Sequence, residues 1–246
     1  MRPALLSRTI HKWLGLIVGI PLMFWTVSGF YMVVVDLDFI HGDPLVRNVR
    51  VPFEAKPPAV SFAAVVDQFE GVTQISLRAL PGISAPVYEV TTSTGKALVD
   101  SVTAAKVSPL GQDAVANLAR QYYAGGGKLV ALNLIERDAP LEIQTRPLPL
   151  WRADFDDWLQ TSLYIHPDTG VLVTRRHRFW RWFDFLWMFH IMDFETRTDM
   201  NNPLLKIATV TGLVGVLSGG WLLYFSFRRK TPRRAFELQQ NRDTAK

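Results

Sequence analysis

Trp13 to Val35 is a run of 23 residues without a charge, and Ile207 to Ser226 is a second of 20. At 1.5 Å rise per residue the first makes roughly 34 Å of helix, enough to cross a hydrocarbon core of about 30 Å. The pattern predicts two transmembrane helices, over 13–35 and 205–227. A chain with two such runs folds around its spans, and everything else must be arranged between or beside them. The flanks predict the orientation. Arg2, Arg8 and Lys12 precede the first span, and Arg228, Arg229, Lys230, Arg233 and Arg234 follow the second, whereas Asp36, Asp38 and Asp43 follow the first. The excess of Lys and Arg marks the cytoplasmic side, so residues 1–12 and 228–246 are expected inside and the residues between the spans outside. A signal peptide would have a shorter apolar region of ~7–15 residues and a small-residue cleavage site. The bulky Phe30-Tyr31-Met32 predicts an uncleaved anchor instead.

Composition excludes several classes. There is no cysteine among the 246 residues, which removes disulfide scaffolds, thiolate metal sites, cysteine-held iron–sulfur clusters and cysteine nucleophiles. The net charge of +5 comes from the cytoplasmic tail, whose basic residues are suited to anionic lipid headgroups; no nucleic-acid partner is expected. No Ser/His/Asp arrangement, His-Glu-x-x-His or paired-carboxylate signature points to a hydrolase.

Residues 36–174 read as α+β. A helix is predicted over Ser61–Glu70, followed by strands Val72–Leu80, Pro86–Thr92 and Ala97–Val102. The order then repeats: a helix over Gln112–Tyr123 and strands Leu129–Ile135, Pro147–Phe155, Thr161–Ile165 and Val171–Thr174. Two small α+β units packed side by side are expected. Gly125-Gly126-Gly127 follows a helix and precedes a strand, the reverse of a phosphate loop, and is read as a helix stop. Residues 175–204 form an aromatic and basic stretch ahead of the second span, suited to the membrane interface. Within it Arg175, Arg176 and Arg178 either anchor to lipid or attract an anionic ligand.

Five histidines are present. His11 opens the first span, and Gly15 and Gly19 share its helix face at i+4 and i+8. That face is either a Gly-x-x-x-Gly packing surface or a shallow groove where a flat macrocycle lies against backbone. His41 follows the first span and His190 lies in the aromatic stretch, both on the outer side. His11 is separated from His41 by roughly 40 Å of mostly helical path, so a haem at His11 needs a second axial ligand from elsewhere. A C2 dimer supplies another His11 and makes a four-helix bundle. His166 is expected at a surface turn, and His177 in a basic cluster that disfavours a metal. Asp193, Glu195 and Asp199 are read as a solvated loop or a cation site.

Several short motifs together resemble a known family. They are His11-Lys12-Trp13-Leu14-Gly15-Leu16, Trp25-x-x-Ser28-Gly29-x-Tyr31-Met32, Ile40-His41-Gly42-Asp43, the Tyr164–Gly170 turn and Phe189-His190. In these the chain is similar to the PepSY-associated transmembrane helix family of bacterial inner-membrane proteins. The resemblance implies two transmembrane helices flanking a periplasmic tandem of PepSY-like α+β modules. Some relatives are haem-b proteins that pass electrons across the membrane and reduce ferric siderophores through helix histidines; they have about four spans, and this chain has two. The resulting expectation is an inner-membrane electron-transfer protein, a homodimer or a subunit of a larger complex. Haem b would be held by His11 and His190, with His41 a further candidate and Gly15 and Gly19 beneath the ring, and the acceptor would be a ferric chelate. The rival expectation is a non-enzymatic anchored module that docks another envelope protein.

Overall fold

The first uncharged run forms helix α1, Pro3–Val34, which carries Pro21 in its interior. The second forms α6, Pro203–Arg228. Asn202 begins α6, its Oδ1 accepting from the Leu205 backbone N–H at 2.8 Å, which satisfies one of the free donors of the first turn. His11–Val34 and Pro203–Tyr224 are each long and apolar enough to cross a membrane. Their apolar side chains point outward: Leu16, Ile20, Val33, Ile207, Val216 and Phe227 are all more than 60% exposed. The core helix of a soluble domain would bury such residues.

This computed structural model describes residues 3–49, 58–83 and 85–228. Arg2 and the basic tail from Arg229 onward lie outside the described residues. The chain divides into two units, one of Met1–Val33 with Phe185–Lys246 and one of Val34–Asp184.

The second unit is α+β with two antiparallel sheets. Strands β1 (Val72–Arg78), β2 (Val87–Thr92) and β3 (Lys96–Asp100) make the first, in that order. Strands β4 (Leu129–Ile135), β5 (Leu150–Phe155), β6 (Ser162–Ile165) and β7 (Leu172–Arg176) make the second, also in chain order. Every predicted strand is present, with ends moved by a few residues. The register sets Arg78 opposite Val87, Ile135 opposite Leu150 and Tyr164 opposite Thr174.

Two short helices begin this unit, α2 (Leu37–His41) and α3 (Phe62–Val66). The predicted helix over Ser61–Glu70 is thus shorter than expected; Ser61 caps it through the Ala64 N–H, and turns follow it to the start of β1. The next helix, α4 (Gln112–Tyr122), places Val115, Leu118 and Ala119 on one buried face. That stripe at i, i+3 and i+4 packs into a single core with Val87 and Leu98 of the first sheet and Ala153, Phe155, Leu163 and Ile165 of the second. The two α+β repeats are therefore joined through α4, each fully buried leucine contributing roughly 2 kcal/mol of apolar burial.

The glycine run after α4 does more than stop the helix. The Tyr123 ring folds back over it, so close that a side chain on Gly125 would stand 2.3 Å from the Tyr123 hydroxyl. That hydroxyl donates to Asp157 Oδ2 at 2.8 Å and accepts from the Gly127 N–H at 3.1 Å. Burial, joined by the neighbouring carboxylates, pushes the Tyr123 phenol up to about 12, and it stays a donor.

Candidate functional site

Helix α5, Arg178–Ile191, begins in the second unit and ends in the first. Its last turn carries His190. The indole N–H of Trp25 on α1 donates to the His190 carbonyl at 2.8 Å, Phe24 stacks on Phe189 with centroids 5.4 Å apart, and Asn202 Nδ2 donates to the Ile191 carbonyl. So fixed, the His190 ring lies against Ser28-Gly29 of α1. Nδ1 is 2.8 Å from Ser28 Oγ, and a Cβ placed on Gly29 would be 4.0 Å from the imidazole Cε1. Ser28 is fully buried. Burial lowers the His190 pKa, keeping the ring neutral at pH 7.

His11 sits near the other end of α1, against Ser218-Gly219 of α6. Its Nδ1 is 2.8 Å from Ser218 Oγ, and a Cβ on Gly219 would stand 3.1 Å from the ring Cε1. His11 and Ser28 are 17 residues apart on α1, about 26 Å of helix. The two histidines therefore occupy separate places in one unit and cannot share a metal ion.

Beside His11 runs a groove of about 680 Å³ between α1 and α6. Gly15 and Gly19 line it from α1, and Gly212, Gly215 and Gly219 from α6. A side chain added at Gly15, Gly19 or Gly212 would meet nothing within 4 Å. The predicted glycine face thus borders open space next to an imidazole, of the size usual for a cofactor pocket.

His41, the last residue of α2, belongs to the other unit. It is exposed, and its carbonyl accepts from Arg175 Nε at 2.9 Å. His177 is wholly buried; its Nε2 lies 2.9 Å from Phe39 O and 3.0 Å from Ile40 O, and Phe39 and Phe179 flank the ring. Gly42, with φ of 78°, turns the chain beneath it, where a Cβ would press on Arg175 and His177. His177, though flanked in sequence by Arg175, Arg176 and Arg178, is thus a buried staple between the end of α2 and the β7–α5 junction. His166 Nδ1 accepts from the Asp168 N–H at 3.1 Å, within the expected turn.

Of the three arginines read as a lipid anchor or an anion site, Arg175 and Arg176 are engaged within their own unit. Arg175 is ion-paired with Asp43. Arg176 lies 3.7 Å over the Trp180 ring and donates to Glu142 O and Thr174 Oγ1; burial lowers its pKa to about 10. Arg178 is exposed. Asp193 anchors a hydrogen-bonded loop. The Thr196 hydroxyl and the backbone N–H groups of Asp199, Thr198 and Thr196 hold its carboxyl well below the usual range. Among the described residues no group of three His, Asp or Glu side chains is placed to hold a metal ion. Neither Ser28 nor Ser218 carries a role on sequence grounds. The available signal was a serine followed by glycine inside an apolar helix, a place where small residues admit a neighbour.

Comparison with family models, with curated proteins and with solved structures finds no match in any of the three. The likeness to the PepSY-associated family rests on the short motifs quoted above.

Proposed function

We propose that the chain is an inner-membrane electron-transfer protein that carries haem b at His11 and at His190. Both termini would lie in the cytoplasm and the α+β unit in the periplasm, with a ferric chelate as acceptor. The observation that carries this reading is His11 beside the groove between α1 and α6, its Nδ1 engaged by Ser218 and its Nε2 without a partner among the described residues.

At His11 the donor and the groove beside it fit the group. Imidazole is a usual axial ligand for haem iron, and an apolar wall tunes its potential. Glycine on both faces of the groove leaves room for a flat ring, which bulky side chains there would narrow. When bound, the iron porphyrin supplies one-electron chemistry. The chain's own residues would hold it: His11 and His190 would each offer Nε2, Ser218 and Ser28 lie against the opposite nitrogen, and the glycines keep the groove beside His11 open. A second copy of the chain, paired in a C2 bundle, would supply another His11 to the same group. Two sites about 26 Å apart along α1 suit electron passage between the two sides of a membrane. The test is a reduced-minus-oxidised absorption spectrum of the detergent-solubilised chain. A Soret band that sharpens and shifts on reduction is expected, and a colourless preparation would overturn the proposal.

A second reading has its own observation. β4 is an edge strand with Val130 and Leu134 exposed, a surface that a partner in a larger envelope complex would cover. On that reading Val130→Lys abolishes co-purification of the partner, and His11→Ala leaves it unchanged.

A further inference from the structure

We infer that Ser28 and Ser218 are positioning residues, each part of a Ser-Gly step that locks the facing histidine as its Nδ1–H tautomer and frees the Nε2 lone pair for a metal. The steps are alike: Val27-Ser28-Gly29 on α1 and Leu217-Ser218-Gly219 on α6, each receiving an imidazole from another helix.

The tautomer follows from counting protons. A serine hydroxyl carries one. Ser28 Oγ lies 2.7 Å from the Phe24 carbonyl, and Ser218 Oγ lies 2.8 Å from the Gly215 carbonyl. A peptide oxygen has no proton to give, so each of these contacts is held by the hydroxyl proton. The hydroxyl oxygen is then an acceptor toward the ring, and the proton between Oγ and Nδ1 belongs to the histidine. A neutral imidazole protonated at Nδ1 has a bare Nε2, and neither His11 nor His190 has a partner for Nε2 among the described residues. The glycine completes the step by letting the ring close on the helix. At Gly219 the clearance is tight, 3.1 Å to a Cβ, and at Gly29 it is ordinary, 4.0 Å.

The other unit provides the contrast. His177 points Nε2 at two carbonyls, so its proton is on Nε2. His166 accepts at Nδ1 from a backbone N–H and is protonated at Nε2 as well. Of these four histidines two have each tautomer, and those facing a Ser-Gly step are the pair with Nε2 free. The assignment of tautomers rests on this geometry alone; the use of the lone pair rests on the haem reading.

The test uses the full chain, made without haem by cell-free synthesis with ¹⁵N-histidine and solubilised in detergent at pH 8. Long-range ¹H–¹⁵N correlation then reports which ring nitrogen carries the proton. Nδ1–H is expected at His11 and His190, and Nε2–H at His166 and His177. Ser218→Ala should release His11 alone and Ser28→Ala His190 alone, while Ser→Thr at either site keeps the lock. Nε2–H at His11 and His190, or no change in the alanine variants, would overturn the inference. Haemin titration follows on the same samples. Each alanine variant should bind about 10- to 100-fold more weakly at its own site, the usual effect of losing such a brace. Haemin uptake unaffected by either alanine would overturn the positioning role. The expected tautomers without haemin uptake by the wild-type chain would overturn the haem reading and uphold the serine lock.

Discussion

His177 donates from Nε2 to Phe39 O and Ile40 O in a wholly buried position. Burial lowers its pKa against the opposing pull of those two carbonyls. In the unfolded chain the same ring takes up a proton near pH 6.5. Below that value the unfolded state binds more protons than the folded one, so stability falls as pH falls and levels off once the folded pKa is passed. Thermal unfolding of the solubilised chain between pH 7.5 and 5 should show a decline that begins near 6.5. The decline should be shallower in His177→Gln, with His190, whose pKa burial also lowers, supplying what remains; an equal slope in both would contradict the staple. The roles of the histidines were only half legible in the sequence. Spacing put His11 on the face of Gly15 and Gly19, because helix periodicity is local. It could not show that His177 would be walled in by Phe39, 138 residues earlier, nor that Ser218 would reach His11 from the far end of the chain.

At the level of elements, the turn at Leu141–Ile143 is tied to α5 through one carboxylate. Glu142 accepts two hydrogen bonds from Arg181 and one from the Tyr164 hydroxyl. Burial alone would raise the Glu142 pKa, but Arg181 and Tyr164 together hold it below the ordinary value. The Glu142 side chain is only 12% exposed, so Arg181→Met leaves a nearly buried charge without its partner. Such a loss costs on the order of 3 kcal/mol. Adding Glu142→Gln to that variant should recover much of it, as read by the denaturant midpoint of the solubilised chain; no recovery would show that Arg181 acts through its packing instead. None of this was visible in the sequence, whereas the strands were. Alternation and turn residues are short-range signals that survive in a linear reading. Ion pairs such as Arg175 with Asp43 depend on which elements the fold brings together, which is why the adjacent Arg175 and Arg176 have different partners.

For the molecule as a whole, two helices apolar enough to cross a membrane and an α+β unit with its own core account for nearly all the described residues. The apolar runs were legible because charge is excluded over their full length. The Ser-Gly steps within them were not, because a serine in a span acquires meaning only from what docks on it. The proposed function makes those steps the point where fold becomes chemistry, and the haem content of the purified chain tests it most directly. Extracted haem per chain should fall partway in His11→Ala, partway in His190→Ala, and to nothing in the double variant. Wild-type protein without haem, or a double variant that retains it all, would contradict the account.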